Sequence, residues 1–341
     1  MLRQLPQTAR IPDPAALSSL LFISNNLSSN QTMNPSPLTF DHVLKSFDDT
    51  IALNEITFSM PERGIVGLVG RNGAGKTTLL NVAAGLLIPN SGEAYTFGEP
   101  ASKLSSRALS RMGVVPHKPQ FMETLSAEEY LRIIANFYPT WDWERVATLY
   151  NALEIEPGKR ISTLSEGQRQ KLSIIAAVGH HPELLLMDEP MSNLDPIARS
   201  ETIRMLWQVI EEDEALVVFS SHILTDVEKV ADWVTCLDFG QLRANQSLDD
   251  LREAYLQWTV RDPDASLDEV RIRENKAVIS HKREAGVVRI TLNTDGEGDA
   301  SALRQSIQTP IEERCLTLDE IFPILCPPQA SKRTLPTPIV W

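Results

Sequence analysis

The eight residues from Gly70 to Thr77, Gly-Arg-Asn-Gly-Ala-Gly-Lys-Thr, constrain this chain more than any other stretch. They fit the pattern G-x-x-x-x-G-K-[ST] and follow an apolar run, 65–69, that is typical of a strand. Glycines allow consecutive backbone N–H groups to turn inward around phosphate oxygens, and a following helix adds the positive end of its dipole. We therefore predict a loop between a strand and a helix that holds the phosphates of a nucleoside triphosphate.

The residues of this loop have different predicted roles. Lys76 is expected to reach the β- and γ-phosphates, and Thr77 is expected to place its hydroxyl on Mg²⁺. The other candidate contacts are the rest of the loop and the residue after it, namely Gly70, Arg71, Asn72, Gly73, Ala74, Gly75 and Thr78. The loop alone does not distinguish a kinase from a GTPase or a transport motor.

Length, charge and cysteine content narrow the class of protein. A chain of 341 residues permits one large or two ordinary domains. Its net charge of −13 argues against a surface that coats nucleic acid, so we expect no nucleic-acid partner. The three cysteines lack C-x-x-C spacing, which is consistent with a reducing compartment. No apolar run approaches the length of a bilayer span, so a membrane role is expected to come through a partner.

Composition and periodicity divide the chain into four predicted parts. The first part is rich in Ser, Asn and Pro and predicts a disordered leader, with Met33 as an alternative start. The parts are the leader 1–36, a nucleotide-binding domain 37–250 with a helical insertion at about 123–171, a small α+β domain 251–326, and a flexible tail 327–341.

The nucleotide-binding part is predicted to be α/β with a mixed sheet. Alternating apolar residues at 38–47 and 51–60 predict an antiparallel flank, and 77–87 predicts the helix after the phosphate loop. Helical spacing at 127–137 and 143–153 predicts the insertion. Short apolar runs typical of buried parallel strands then alternate with helical stretches, with strands at 114–115, 184–187, 216–220 and 234–237 and helices at 197–212 and 224–230.

The C-terminal part is predicted to be a small α+β appendage. Its short apolar runs predict strands at 270–273, 277–281 and 287–292, followed by helices at 302–307 and 318–325. In the helical insertion, Trp141 and Trp143 leave two alternatives open, which are an anchor for the insertion's own core and part of a groove for a membrane partner's helix.

A nucleotide hydrolase also needs a carboxylate for Mg²⁺ and a group that orients the attacking water. The run Leu-Leu-Leu-Met-Asp-Glu, which ends in Asp188 and Glu189, supplies both groups. Adjacent side chains diverge at the carboxyl end of a buried strand. We therefore expect Asp188 to face the metal and Glu189 to face the γ-phosphate and its water.

A second motif identifies a family. The sequence Leu-Ser-Glu-Gly-Gln at 164–168 resembles the signature of the ATP-binding cassette (ABC) ATPases. Five motifs follow that family's order between about residues 38 and 242, namely the phosphate loop, the signature, the acidic strand end, Ser192-Asn193-Leu194-Asp195 and Ser221-His222. The resemblance implies a P-loop NTPase core of the ABC type, with an antiparallel flank and a helical insertion.

The resemblance implies that two cassettes bind ATP between them, head to tail, as a homodimer or with a second ABC ATPase. The phosphate loop of one subunit would then face Ser165, the backbone of Gly167 and Gln168 of the other. Asp195 would belong to the loop that links the two sites, and His222 would contact the γ-phosphate and the water. The implied catalytic groups are Glu189, His222 and Lys76, and the cofactors are ATP and Mg²⁺.

Phe47 lies 29 residues before Lys76, where the family has the aromatic side chain that stacks on adenine. A place in the hydrophobic core is the alternative for a lone aromatic residue.

Two positions depart from the family's pattern. Glu166 replaces a glycine of the signature, but Gly167, where the backbone must approach phosphate, is kept. His117 stands where the family has a glutamine that helps to hold Mg²⁺. Neutral imidazole can replace that ligand whereas imidazolium repels a metal, so His117 predicts turnover that is sensitive to acid. The alternative is that His117 is a solvated loop residue and Gln120 takes the role.

The resemblance favours the ATPase subunit of a bacterial exporter-type ABC transporter with a separate integral-membrane permease. Such a subunit would be cytoplasmic and peripheral on the cytoplasmic face of the cell membrane. The stretches that resemble this subclass are 137–142, 220–222 with 226–228, and 316–322. Three alternatives remain, which are a soluble ABC ATPase that does not act in transport, a regulatory module that closes on ATP without turnover, and a small-molecule P-loop kinase. The kinase leaves the signature unexplained.

Overall fold

The computed structural model describes residues 36–192, 194–295 and 300–328. Nearly all of the predicted leader 1–36 and most of the predicted tail 327–341 lie outside the described residues. Asn193 of the predicted linking loop lies outside them too.

The described residues form fourteen β-strands. In chain order these are β1 (Leu38–Phe47), β2 (Thr50–Ser59), β3 (Gly64–Gly70), β4 (Ser91–Thr96), β5 (Glu99–Pro100), β6 (Met112–Val115), β7 (Leu184–Met187), β8 (Leu216–Ser221), β9 (Trp233–Asp238), β10 (Gln241–Ser247), β11 (Tyr255–Arg261), β12 (Val278–Glu284), β13 (Val287–Asn293) and β14 (Ile311–Cys315).

Eleven α-helices connect these strands within the same residues. They are α1 (Lys76–Ala83), α2 (Ser106–Leu109), α3 (Ala127–Ala135), α4 (Trp143–Ala152), α5 (Glu166–Val178), α6 (Pro196–Asp213), α7 (Leu224–Val230), α8 (Leu248–Ala254), α9 (Glu269–Glu274), α10 (Ala300–Ser306) and α11 (Leu318–Leu325). Across the described part of the chain, no helix combines the length and the apolar character that a bilayer span requires.

A six-stranded sheet forms the centre of the nucleotide-binding part, in the order β10-β9-β3-β8-β7-β6. The strands from β9 to β6 pair in parallel, and β10 pairs antiparallel with β9. Every residue of β7 and β8 is buried, which explains why all of β7 and the first four residues of β8 are apolar. Because parallel strands end at one edge, β3, β6, β7 and β8 bring their carboxyl ends together there.

The predicted antiparallel flank is confirmed. Strands β1 and β2 pair antiparallel, and the sheet continues in the order β2-β1-β4-β5. The helix after the phosphate loop is also confirmed but ends at Ala83, before the predicted residue 87, because Gly85 takes a left-handed conformation with φ of 72°.

Two of the insertion's helices are confirmed as α3 and α4, and a third helix, α5, runs without a break through the predicted boundary at 171. Trp141 packs against Gly179, and its ring centroid lies 5.9 Å from that of Tyr138. Tyr138 in turn stacks on His180 at 3.8 Å. These ring contacts support the anchoring alternative for Trp141, while Trp143 remains 40% exposed.

The appendage forms a four-stranded antiparallel sheet in the order β12-β13-β11-β14, with α9 and α10 inserted in the pattern βαββαβ. The prediction of a strand at 270–273 is wrong, because these residues belong to α9. Asp268 caps this helix by accepting from the backbone N–H groups of Val270 and Arg271. Apolar and charged residues alternate in Val-Arg-Ile-Arg at 270–273, as they do in a strand. In the helix, however, Val270 is exposed and Ile272 is buried. Strands β11 and β14 were absent from the prediction.

The apolar side chains of the last helix pack on the nucleotide-binding part, while its Glu320 forms an ion pair with Arg314 of β14 at 2.7 Å. Leu316, Leu318, Ile321 and Cys326 join the hydrophobic cluster of the central sheet, and α11 contacts α7. The appendage has its own cluster around Trp258 and Ile290. The hydrophobic cluster of the appendage therefore does not include α11, whereas the sequence predicted a single α+β domain over 251–326.

His180 generates a prediction about acid stability. Burial lowers the pKa of His180 to about 4 from the ordinary 6.5. Between these pH values the residue is therefore protonated in the unfolded chain but not in the folded chain. The free energy of unfolding should therefore fall by up to about 3 kcal/mol from this residue as pH drops from 6.5 to 4. We expect His180→Phe, which keeps an aromatic ring, to remove this fall in urea unfolding followed by tryptophan fluorescence. The exposed His42, changed to Asn, is the control, and an unchanged pH dependence in His180→Phe would contradict the prediction.

Candidate active site

The phosphate loop joins β3 to α1 in a conformation that requires glycine. Gly75 has φ of 104°, and a Cβ there would lie 2.3 Å from the carbonyl oxygen of Ala52. The side chain of Lys76 is buried, and its Nζ donates to the carbonyl oxygen of Gly70 at 2.8 Å. The loop is thus closed on itself by its own lysine, with α1 beginning directly behind it.

Asp188 lies opposite the loop, just after β7. Its side chain accepts from the hydroxyl of Thr77 at 2.7 Å and from the hydroxyl of Ser220, at the end of β8, also at 2.7 Å. Asp188 is only 6% exposed. A buried carboxylate costs free energy unless it is hydrogen-bonded, and here each carboxylate oxygen has a hydroxyl donor.

Glu189, the next residue, has a strained backbone conformation, and its side chain points away from that of Asp188. Its φ is 50°, and its backbone N–H donates to the hydroxyl of Ser220 at 2.8 Å. One carboxylate oxygen lies 2.8 Å from Nδ1 of His222, and the other lies 3.7 Å from Nζ of Lys76. The two adjacent acids therefore diverge, as the sequence predicted, with Asp188 towards Thr77 and Glu189 towards His222 and Lys76.

An open cleft of about 560 Å³ lies in front of these groups. It contains most of the predicted site residues, and Phe47 lies at its wall with 46% of its surface exposed. The lining residues are Phe47, Thr50, Ala52, Asn72, Gly73, Ala74, Gly75, Lys76, Thr77, Thr78, His117, Asp188, Glu189 and His222.

The signature residues do not line this cleft. Ser165 caps the N-terminus of α5, where its hydroxyl accepts from the N–H of Gln168 and its own N–H donates to the Gln168 side chain, each at 3.2 Å. Ser165 is exposed, and Gly167 follows in the first turn of the helix. This chain by itself therefore does not bring Ser165, Gly167 or Gln168 to its own phosphate loop.

Asp195 also lies outside the cleft, at the start of α6. Its carboxylate accepts from the backbone N–H groups of Ile197 and Ala198, and these hydrogen bonds hold its pKa below the ordinary range.

Arg71 is part of the loop, yet its side chain turns away from the cleft. Its guanidinium Nη2 donates to the backbone carbonyl of Cys326 at 2.6 Å. The phosphate loop is thereby hydrogen-bonded to the residue that follows the last helix.

The donor set fits a hard divalent cation. Within the described residues, no cluster of three or more His, Cys, Asp or Glu side chains is placed to hold a metal ion. Thr77 and Asp188 offer a hydroxyl and a carboxylate oxygen, and His117 lines the same cleft. Mg²⁺ is held in this way in phosphate sites, by one or two protein oxygens together with phosphate oxygens and water.

Ser220 lies at the site, and the sequence analysis assigned it no role. It is fully buried and hydrogen-bonds to both Asp188 and Glu189. The signal was its place at the carboxyl end of an apolar run, two residues before His222. A polar side chain at the shared edge of a parallel sheet is a candidate for the site.

Comparisons with known proteins agree with this geometry. Residues 53–192 match the family described as ABC transporter. The bacitracin transport ATP-binding protein BcrA of Enterococcus faecalis is 31% identical over 224 residues, which cover 65% of this chain and 73% of that protein. A solved ATP-binding subunit of an ABC transporter has a TM-score of 0.59 and 27% identity, covering 64% of this chain and 92% of its own. The dimeric bacterial ABC transporter cassette MJ0796 has a TM-score of 0.57 and 22% identity, covering 62% and 98%, and shows the same fold.

Ser220→Ala tests the hydrogen bonds that join the two acids. The change leaves a buried carboxylate oxygen and the Glu189 N–H without their partner, so we expect the free energy of unfolding to fall by about 2 kcal/mol. Denaturant unfolding measures this change. Ser192→Ala is the matched control, because the buried Ser192 hydroxyl has no hydrogen-bond partner among the described residues. Equal effects of the two changes would show that the Ser220 bridge does not stabilise the protein.

Proposed function

This chain belongs to the ABC transporter family, and we propose that it is the ATP-hydrolysing subunit whose closure on ATP drives a separate integral-membrane permease. The observation that carries this proposal is the position of Glu189, held between His222 and Lys76 at the mouth of the phosphate loop. A protein that binds ATP without hydrolysing it does not need a carboxylate that is placed to orient a water molecule.

The loop and its lysine would bind the phosphates. The backbone N–H groups of Gly73, Gly75, Lys76 and Thr77, at and before the N-terminus of α1, would surround the β- and γ-phosphates. Lys76 would exchange its hydrogen bond with the Gly70 carbonyl for phosphate oxygens. Thr77 and Asp188 would hold Mg²⁺, which supplies positive charge to the transferring phosphoryl group.

Hydrolysis would depend on the second acid. Glu189 would orient the attacking water and accept its proton, because its carboxylate faces the cleft while Asp188 is bound to Thr77 and Ser220. His222 would hold the Glu189 carboxylate in place and contact the γ-phosphate. Ser220 would keep the two acids apart through its bonds to one side chain and one backbone N–H.

Two further groups would contact the nucleotide. The half-exposed ring of Phe47 would stack on adenine at the wall of the cleft. His117, which lines the same cleft, would take the place of the family's glutamine beside the metal and γ-phosphate.

The active site would be completed by a second subunit, either a copy of this chain or another ABC ATPase. The exposed N-terminus of α5, with Ser165 and the backbone of Gly167, carries the positive end of the helix dipole, which suits a γ-phosphate. Because these residues lie outside their own cleft, they would serve the cleft of the partner, with Asp195 near the contact.

The permease would dock in a groove of about 320 Å³ between the helical insertion and the core. Exposed apolar side chains at its rim, Leu86 and Leu109, and the aromatic ring of Tyr130 suit the apolar face of a short helix. This docking would hold the subunit at the cytoplasmic face of the membrane without a span of its own.

Glu189→Gln tests the assigned catalytic role. The amide keeps the shape of the side chain but cannot take a proton, so we expect ATP hydrolysis to slow by at least about 100-fold while ATP still binds. Steady-state phosphate release and equilibrium binding of ATP measure the two effects. The exposed Glu144, changed to Gln, is the control. Hydrolysis by Glu189→Gln at the native rate would refute the assignment.

A further inference from the structure

Two buried cysteines lie in contact beneath the phosphate loop. Cys236 is in β9, and Cys326 directly follows α11, so 90 positions of sequence separate them. Their Sγ atoms are 3.4 Å apart, and both residues are 0% exposed. The third cysteine, Cys315, is exposed on β14.

This pair is linked to the loop through both of its members. Cys236 pairs in register with Val69, the residue before the loop's first glycine. The carbonyl oxygen of Cys326 accepts from the guanidinium of Arg71 within the loop. The contact between the two thiols therefore joins the strand that leads into the loop to the segment that holds the loop's arginine.

The two thiols are not equivalent. The hydrogen bond from Cys236 lowers the pKa of Cys326, while the same contact and burial raise the pKa of Cys236. The thiolate is the nucleophile in thiol oxidation, so the lowered pKa favours Cys326 as the attacking thiol.

The backbones of the two cysteines are held by different numbers of hydrogen bonds. Cys236 is held in the central sheet between hydrogen-bonded neighbours, whereas α11 is an eight-residue helix that contains Pro323. Proline removes a backbone hydrogen bond from such a helix. A small shift of the end of α11 brings the sulfurs from 3.4 Å to the S–S bond length of about 2 Å.

We propose that Cys236 and Cys326 are a reversible disulfide site that locks the last helix beneath the phosphate loop. A peroxide supplies the oxidant. The Cys326 thiolate attacks one peroxide oxygen, the O–O bond breaks, and one water leaves with a proton from solvent. The Cys236 thiol then attacks the sulfenic sulfur, the S–S bond forms, and a second water leaves. Two thiols and one hydrogen peroxide thus give one disulfide and two waters.

The lock has two physical consequences. It closes a long loop of chain covalently, which lowers the entropy of the unfolded state and stabilises the fold. It also keeps the Cys326 carbonyl in reach of Arg71, so the phosphate loop opens less often. Neither consequence depends on ATP turnover.

The test uses the full chain with Cys315→Ser, which removes the exposed thiol. After treatment with hydrogen peroxide and alkylation under denaturing conditions, we expect the intact mass to lose two hydrogen atoms. Peptide mapping should then find one intramolecular link between Cys236 and Cys326. The thermal midpoint should rise by several degrees and return after reduction with dithiothreitol. Thiols that both remain open to alkylation, or links only between different chains, would overturn the proposal.

A second variant and a second measurement separate the lock from simple oxidation. Cys315→Ser combined with Cys326→Ser keeps the backbone carbonyl that binds Arg71 but removes the thiol. In this double variant, treatment with peroxide should cause no loss of two hydrogen atoms from the intact mass and no shift of the thermal midpoint. In Cys315→Ser, oxidation should slow hydrogen exchange of the amides in 70–77, as followed by mass spectrometry. Unchanged exchange there, despite a formed disulfide, would overturn the coupling to the loop.

Discussion

The site depends on one chain of hydrogen bonds across the edge of the central sheet. The Thr77 hydroxyl bonds to the Asp188 carboxylate, which bonds to the Ser220 hydroxyl, which in turn accepts from the N–H of Glu189. The geometry of this chain is set by strand register, because Met187 pairs with Phe219. Asp188 follows Met187 and Ser220 follows Phe219, so the two side chains lie next to each other. The parallel sheet therefore positions Asp188 and Glu189, the groups proposed to hold the metal and orient the water, in the way that electrostatic preorganisation requires.

The described residues of one subunit do not bring all of the predicted site residues together. The phosphate loop, both acids and His222 share one cleft, while Ser165 and Gly167 lie at the exposed start of another helix. The N-terminus of a helix carries partial positive charge and therefore favours an anion. We infer that the triphosphate of one subunit supplies this anion to the other, which makes closure depend on the γ-phosphate and makes hydrolysis the release step.

The sequence predicted the parts of the fold that local rules control. Gly75 has a φ of 104°, which favours glycine, and the buried parallel strands were visible as short runs rich in apolar residues. The predictions failed at one short helix and at contacts between residues that are far apart in the sequence. Alternation at Val270 and Ile272 imitated a strand because a capped one-and-a-half-turn helix buries one side chain only. The bridge through Ser220 and the contact of Cys236 with Cys326 depend on strand register and on the return of α11, which no local pattern encodes.

The central claim is that two subunits share each ATP, and the molar mass of Glu189→Gln tests it most directly. Light scattering of this slowly hydrolysing variant should give the 38.0 kDa monomer without nucleotide and twice that mass with ATP and Mg²⁺. A further change of Ser165 to Arg, which would obstruct the γ-phosphate, should abolish the doubling while ATP still binds. A monomer at every protein concentration with saturating ATP, even with the permease present, would contradict the account.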